Sequence, residues 1–249
     1  MATTYSIQVY NYTNRPRNYI LFQTVPVPSG TPEVFTNVYQ SSGLIESGNY
    51  SNVKFTITDE FFAVLGTAPK PLDNHVRVTT GAAEAVTLSS GETPPITPGT
   101  QCYLSTSDGK SPFWQPSSAS QKSWPKAYGI HCDGSFKFPN ESKSNILYFT
   151  SDPADSMDTA NIFIGMGARD PKQGGITPVA TVPADPNSDF YFQPIVKYYI
   201  GWGDFEPGTV VNIAEIGPVL TVDFTQLTVN NVVYTQDSSN NYKSGPPPE

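Results

Sequence analysis

Between residues 195 and 202 the side chains alternate without a break. Val196, Tyr198, Ile200 and Trp202 fall on one face, and Ile195, Lys197, Tyr199 and Gly201 on the other. Successive side chains of a pleated strand point to opposite faces, so this period of two specifies a strand. Aromatic and β-branched residues dominate the run, and Gly203-Asp204 and Pro207-Gly208 punctuate its end. Comparable runs occur at 5–10, 19–24, 34–39, 53–58, 61–66, 76–80, 85–88, 101–105, 135–138, 145–151, 161–167, 177–182, 210–213, 219–224 and 229–235. The 24 prolines and 19 glycines lie between such runs, as short strands joined by turns require. Only 119–128 and 152–160 leave room for short helical turns, and neither carries an extended apolar face of period 3.6.

The pattern predicts an all-β chain. It reads as two antiparallel β-sandwich domains, immunoglobulin-like or jelly-roll-like, over residues 1–107 and 127–236. Residues 108–126 are polar and proline-bearing and read as a connector, although Phe113, Trp114 and Trp124 call for a surface to rest on. Residues 237–249 turn polar, end near three consecutive prolines and read as a flexible tail. A faint repeat connects the halves. Ile20-Leu21-Phe22 resembles Ile146-Leu147-Tyr148, and Asn37-Val38-Tyr39 resembles Asn161-Ile162-Phe163. Residues 61–66, FFAVLG, likewise resemble 198–203, YYIGWG. A duplicated domain gives this pattern, and so do two unrelated sandwiches with similar packing demands.

Charge bounds the partners. With a formal net charge of -8 and only 14% charged residues, the chain shows no basic patch to neutralise several phosphates, so no nucleic-acid partner is expected. No apolar run approaches the length of a membrane helix, and no membrane insertion is expected. The first ten residues lack the basic and apolar regions of a signal peptide, which makes the cytoplasm the default location, with secretion left open. Sequons at Asn11, Asn49 and Asn140 matter only for a secreted protein. Cys102 and Cys132, the only two cysteines, fit either one disulfide or two isolated thiols.

Motifs for catalysis are sparse. There are two histidines and no GxSxG elbow, and His131 and Cys132, being adjacent on a strand, point to opposite faces. Glu60, Asp204, Glu206, Glu215 and Asp223 lie near apolar strands and could supply the carboxylate pair of a glycoside hydrolase. Asp204 and Glu206 stand out because Trp202 and Phe205 beside them could stack a sugar; the plainer reading is an acidic turn closing an aromatic strand. Asp152, Asp155 and Asp158 lack the glycine and remaining ligands of a calcium loop, and the glycines at 165, 167, 174 and 175 match no phosphate-binding signature. No metal site and no cofactor is expected.

The reading that follows is a non-enzymatic structural protein that associates with itself through edge strands and polar-aromatic contacts. One alternative is a lectin-like or toxin-like binding module, with carbohydrate as ligand and a site built from Trp202, Asp204, Glu206, Trp114 and Trp124. A second is a carbohydrate-active hydrolase using Asp204 or Glu206.

Overall fold

The structure, a computed structural model, describes residues 3–27, 33–91, 96–120, 124–137, 160–172 and 174–248. The chain begins with β1 (Thr4–Asn11), β2 (Arg17–Phe22), β3 (Phe35–Thr36), β4 (Val38–Ile45) and β5 (Asn52–Thr58). It continues through β6 (Phe61–Ala68), β7 (Ala82–Val86), β8 (Thr100–Thr106), β9 (Pro112–Ala119) and β10 (Tyr128–Cys132). After β11 (Asn161–Arg169), β12 (Ile176–Pro183) and β13 (Ser188–Phe192) come β14 (Lys197–Trp202), β15 (Leu220–Asp223), β16 (Asn231–Gln236) and β17 (Tyr242–Ser244). Helical structure among the described residues is confined to short 3-10 turns such as Ile213–Glu215 and Phe224–Gln226, and no helix is long and apolar enough to cross a membrane.

These strands form four sheets and two sandwiches. The first sandwich packs the sheet β17-β16-β1-β5 on the sheet β15-β14-β2-β4. Tyr19 of β2 donates to Gln236 of β16, Gln40 of β4 donates to the Thr56 carbonyl of β5, and the rings of Tyr5 and Phe224 meet at 4.7 Å. The second sandwich packs β13-β10-β8-β9 on β3-β12-β11-β6-β7, with Tyr128 of β10 donating to the Gly165 carbonyl of β11. One apolar core runs through all four sheets, from Ile7, Leu21 and Phe55 to Leu65, Leu104, Ile164 and Phe192. Each such side chain, fully buried, contributes ~1.5–3 kcal/mol.

The expectation of an all-β, sandwich-type fold is met, but the expected division of the chain is corrected. The strands do not separate at residues 107 and 127. Residues 61–192 supply the second sandwich nearly alone, whereas the first is built from β1, β2, β4 and β5 together with β14–β17. Apart from the brief visit of the two-residue β3 to β12, the chain therefore crosses between sandwiches at 58–61 and at 192–197. The expected connector contains β9, paired antiparallel with β8, and the expected tail contains β17, paired with β16. Nor are the sheets purely antiparallel, because β1 runs parallel to β16 and β10 parallel to β8.

Those two parallel pairs reveal a repeated topology. In order from β14 through β17 and then β1, β2, β4 and β5, the first sandwich has the same neighbours and directions as β6–β13 in the second. Sheet β17-β16-β1-β5 corresponds to β9-β8-β10-β13, and β15-β14-β2-β4 to β7-β6-β11-β12. In this correspondence β6 matches β14, the pair whose sequences echo each other. The proposed echo at 146–148 and the strand at 145–151 lie outside the described residues.

The aromatic run on either side of Pro194 is divided between the sandwiches. Phe190 and Phe192 belong to β13, and the residues from Lys197 onward to β14. Within β14 the predicted alternation holds: Tyr198 and Ile200 face the main core, whereas Tyr199 packs with Ile20, Phe22 and Val38 on the outer side. Residues 76–80 and 210–213, expected as strands, are irregular segments held together by isolated bridges and backbone hydrogen bonds. Cys102 and Cys132 are free thiols buried in the core. They sit out of register on neighbouring strands, Cys102 opposite Ile130 and Cys132 opposite Leu104.

Candidate functional site

The two crossings between sandwiches frame a cleft of about 750 Å³. Asp59 and Phe61 come from the first crossing and Gln193, Pro194, Ile195 and Val196 from the second; Leu88, Pro125, Lys126 and Thr225 complete the wall. Proline at 194 cannot donate to a ladder, so the chain leaves one sheet there before entering the next. Hydrogen bonds hold the segment in place. The Gln193 backbone N–H donates to the Pro26 carbonyl at 3.0 Å, its side-chain amide donates to the Pro125 carbonyl at 2.8 Å, and the Gln23 amide donates to the Ile195 carbonyl.

The cleft is apolar over most of its wall, with few polar groups. The Asp59 carboxylate accepts from the Thr3 backbone N–H at 2.6 Å, and the Thr225 hydroxyl donates to Asp223. Clefts of ~300–1,000 Å³ with apolar walls and a few fixed polar groups are the usual form of a small-molecule site, and junctions between domains are a common place for them. None of these lining residues is expected as a site residue from the sequence, where Phe61, Ile195 and Val196 read only as strand residues. Their only local signal was the Gln-Pro-Ile-Val interruption before the strongest strand.

The five residues expected to form a ligand site are dispersed. Trp202 ends β14, and the Arg17 guanidinium carbon lies 3.9 Å from the centre of its ring, occupying one indole face. Asp204 is exposed and makes no hydrogen bond or ion pair with another described residue. Glu206 is bonded to Arg77, and Phe205 beside it packs on the His75 ring at 5.5 Å. Trp114 lies half-buried on β9 against the core, its indole nitrogen lacking a hydrogen-bond partner. Trp124 is 43% exposed, next to the cleft residue Pro125. No ring contact joins any two of the three tryptophans among the described residues.

The other carboxylates are engaged locally. Glu60 accepts from Arg169 at 3.1 Å, Glu215 accepts from Asn74 and Asn212, and Asp223 caps the turn at Thr225. His131 Nδ1 lies 2.9 Å from Asp189 on the outer face of the second sandwich, while Cys132 points into the core. Burial pushes the Cys102 and Cys132 thiols well above their ordinary range. Among the described residues no group of three or more His, Cys, Asp or Glu could hold a metal ion, and the Asp152, Asp155 and Asp158 run lies outside them.

The fold and cleft define a class: an all-β protein of two sandwiches exchanging strands, with an apolar cleft at the exchange points. The model of the RhiA family matches residues 118–244, just over half of the 249 residues, and the chain belongs to that family. The match spans β10–β17 and thus enters both sandwiches. No curated protein and no solved structure matches the chain.

Proposed function

We propose that this chain is a non-enzymatic binding protein that holds a small amphipathic molecule in the cleft between its sandwiches. The observation carrying this reading is the apolar wall made by Phe61, Leu88, Pro125, Pro194, Ile195 and Val196, bordered by the polar ends of Asp59, Lys126 and Thr225. An apolar body would take the place of water against that wall, and the polar ends would fix its orientation. Titration with an anilinonaphthalene sulfonate dye, followed by Trp124 and dye fluorescence, tests it. Saturable binding that is lost in Phe61→Ser and Val196→Asp supports the reading; binding that neither variant weakens overturns it.

A second reading, association between copies, rests on β9. This eight-residue edge strand carries no charged residue and leaves Phe113 44% exposed, with Pro112 and Pro116 as the features that oppose pairing along it. Light scattering that finds only monomer over a wide concentration range removes it. A lectin version rests on Trp124 alone, and a glycan array showing no binding removes that.

A further inference from the structure

The two sandwiches share a topology, but at one level of the core their contents differ. In the second sandwich Leu65 lies opposite Ile164 and Leu104 opposite Trp114, with Ile162 two residues before Ile164. In the first, Trp202 lies opposite Tyr19 and Gln236 opposite Tyr242, with Arg17 two residues before Tyr19. The repeated sequence sets Leu65 against Trp202, which brings these groups into correspondence. Where one sandwich has Leu65, Ile162, Ile164 and Leu104, with Trp114 as the single unpartnered donor of that group, the other has Trp202, Arg17, Tyr19 and Gln236, so the fold itself does not demand that polarity.

These polar side chains are contiguous. Arg17 stacks on Trp202 and donates to Asn240 at 2.8 Å, and Tyr19 donates to Gln236 Oε1 at 2.8 Å. Gln236 is fully buried, and Tyr242 lies beside it on the neighbouring strand. Four buried atoms of the group have no hydrogen-bond partner: Arg17 Nε, Trp202 Nε1, Gln236 Nε2 and the Tyr242 hydroxyl. Three of them can only donate, and the phenol can donate as well. Burial raises the Tyr19 and Tyr242 phenols above their ordinary range, so both keep their protons at neutral pH. Arg17 has no carboxylate partner among the described residues. As whole residues Arg17, Trp202 and Tyr242 are only partly buried, whereas the four unpartnered atoms themselves are buried.

We propose that Arg17, Trp202, Gln236 and Tyr242 form a receptor for a small oxyanion, a carboxylate or a phosphate group. A half-buried guanidinium surrounded by unpartnered donors calls for an acceptor carrying negative charge, and a planar fork suits two oxygens of one group. The site is separate from the apolar cleft.

The test is titration of the full chain with inorganic phosphate and with acetate at constant ionic strength, read by calorimetry and by tryptophan fluorescence. Saturable binding of at least one probe is expected, with the fluorescence change absent in Trp202→Phe. Arg17→Gln should weaken binding about tenfold or more, as loss of a charge-assisted hydrogen bond does. Gln236→Leu, which copies the apolar sandwich, should also weaken binding while keeping the fold, and Phe61→Ser in the cleft should leave it unchanged. Preference for phosphate identifies a tetrahedral ligand and preference for acetate a planar one. Lack of saturation by both probes, or undiminished binding in Arg17→Gln and Gln236→Leu, overturns the proposal.

Discussion

The Tyr19 hydroxyl donates to Gln236 Oε1 at 2.8 Å across the first sandwich, tying β2 to β16 where both side chains are fully buried. Tyr19→Phe removes the donor and leaves the Gln236 oxygen without it in a dry setting. A buried polar group left unsatisfied costs ~1–3 kcal/mol, and urea unfolding of the variant should show a loss of that size.

Gly165 in β11 is equally constrained, for a steric reason. A Cβ there would run into the Ala180 carbonyl oxygen of β12, and the Gly165 carbonyl already accepts from Tyr128. Backbone on both sides leaves little room to yield. Gly165→Ala is therefore expected to destabilise the second sandwich by ~1–3 kcal/mol, measured as a lower urea midpoint with an unchanged slope.

Asp108 gives the acid limb of stability a defined sign. The Ser111 hydroxyl and the backbone N–H groups of Ser111 and Lys110 donate to its carboxylate and hold it at about 2, below the ordinary 3.8. A carboxyl depressed in the folded state adds stability above its unfolded value, and that stability is lost as pH falls toward the folded one. Thermal melts of Asp108→Asn should accordingly fall less steeply than wild type between pH 3.8 and about 2.

Both thiols should be silent in the folded protein. Cys102 and Cys132 are buried, and burial favours the protonated, unreactive form. An aromatic disulfide reagent should label neither cysteine under native conditions and both in denaturant without reductant. Labelling of neither in denaturant would reveal a disulfide instead.

Much of the strand content was legible because alternation is a local property. Tyr198 and Ile200 face the core as their spacing requires, and Tyr199 faces away. Partnership between strands was not legible, because it is set by surfaces far apart in sequence. Nothing around Ser6 announces that it lies beside Asn231. β9 was hidden by Pro112 and Pro116, residues that an edge strand tolerates and a central one does not. Likewise the guanidinium on Trp202 comes from another strand, so the local sequence offered a free indole where the structure has a covered one. The cleft was invisible for the same reason, since its two main walls meet only when both crossings are in place.

The double crossing also sets an order of events. Residues 61–192 can collapse into their sandwich as one continuous stretch, but β1, β2, β4 and β5 must wait for β14–β17 before their sheets are filled. β1 can pair with β5 and β2 with β4 at once, but their other edges stay open until β16 and β14 arrive. Closing so long a loop late is slow and leaves open sheet edges exposed meanwhile. The same exchange of strands that frames the cleft thus makes the first sandwich the stage at which folding of this chain is most open to misassociation.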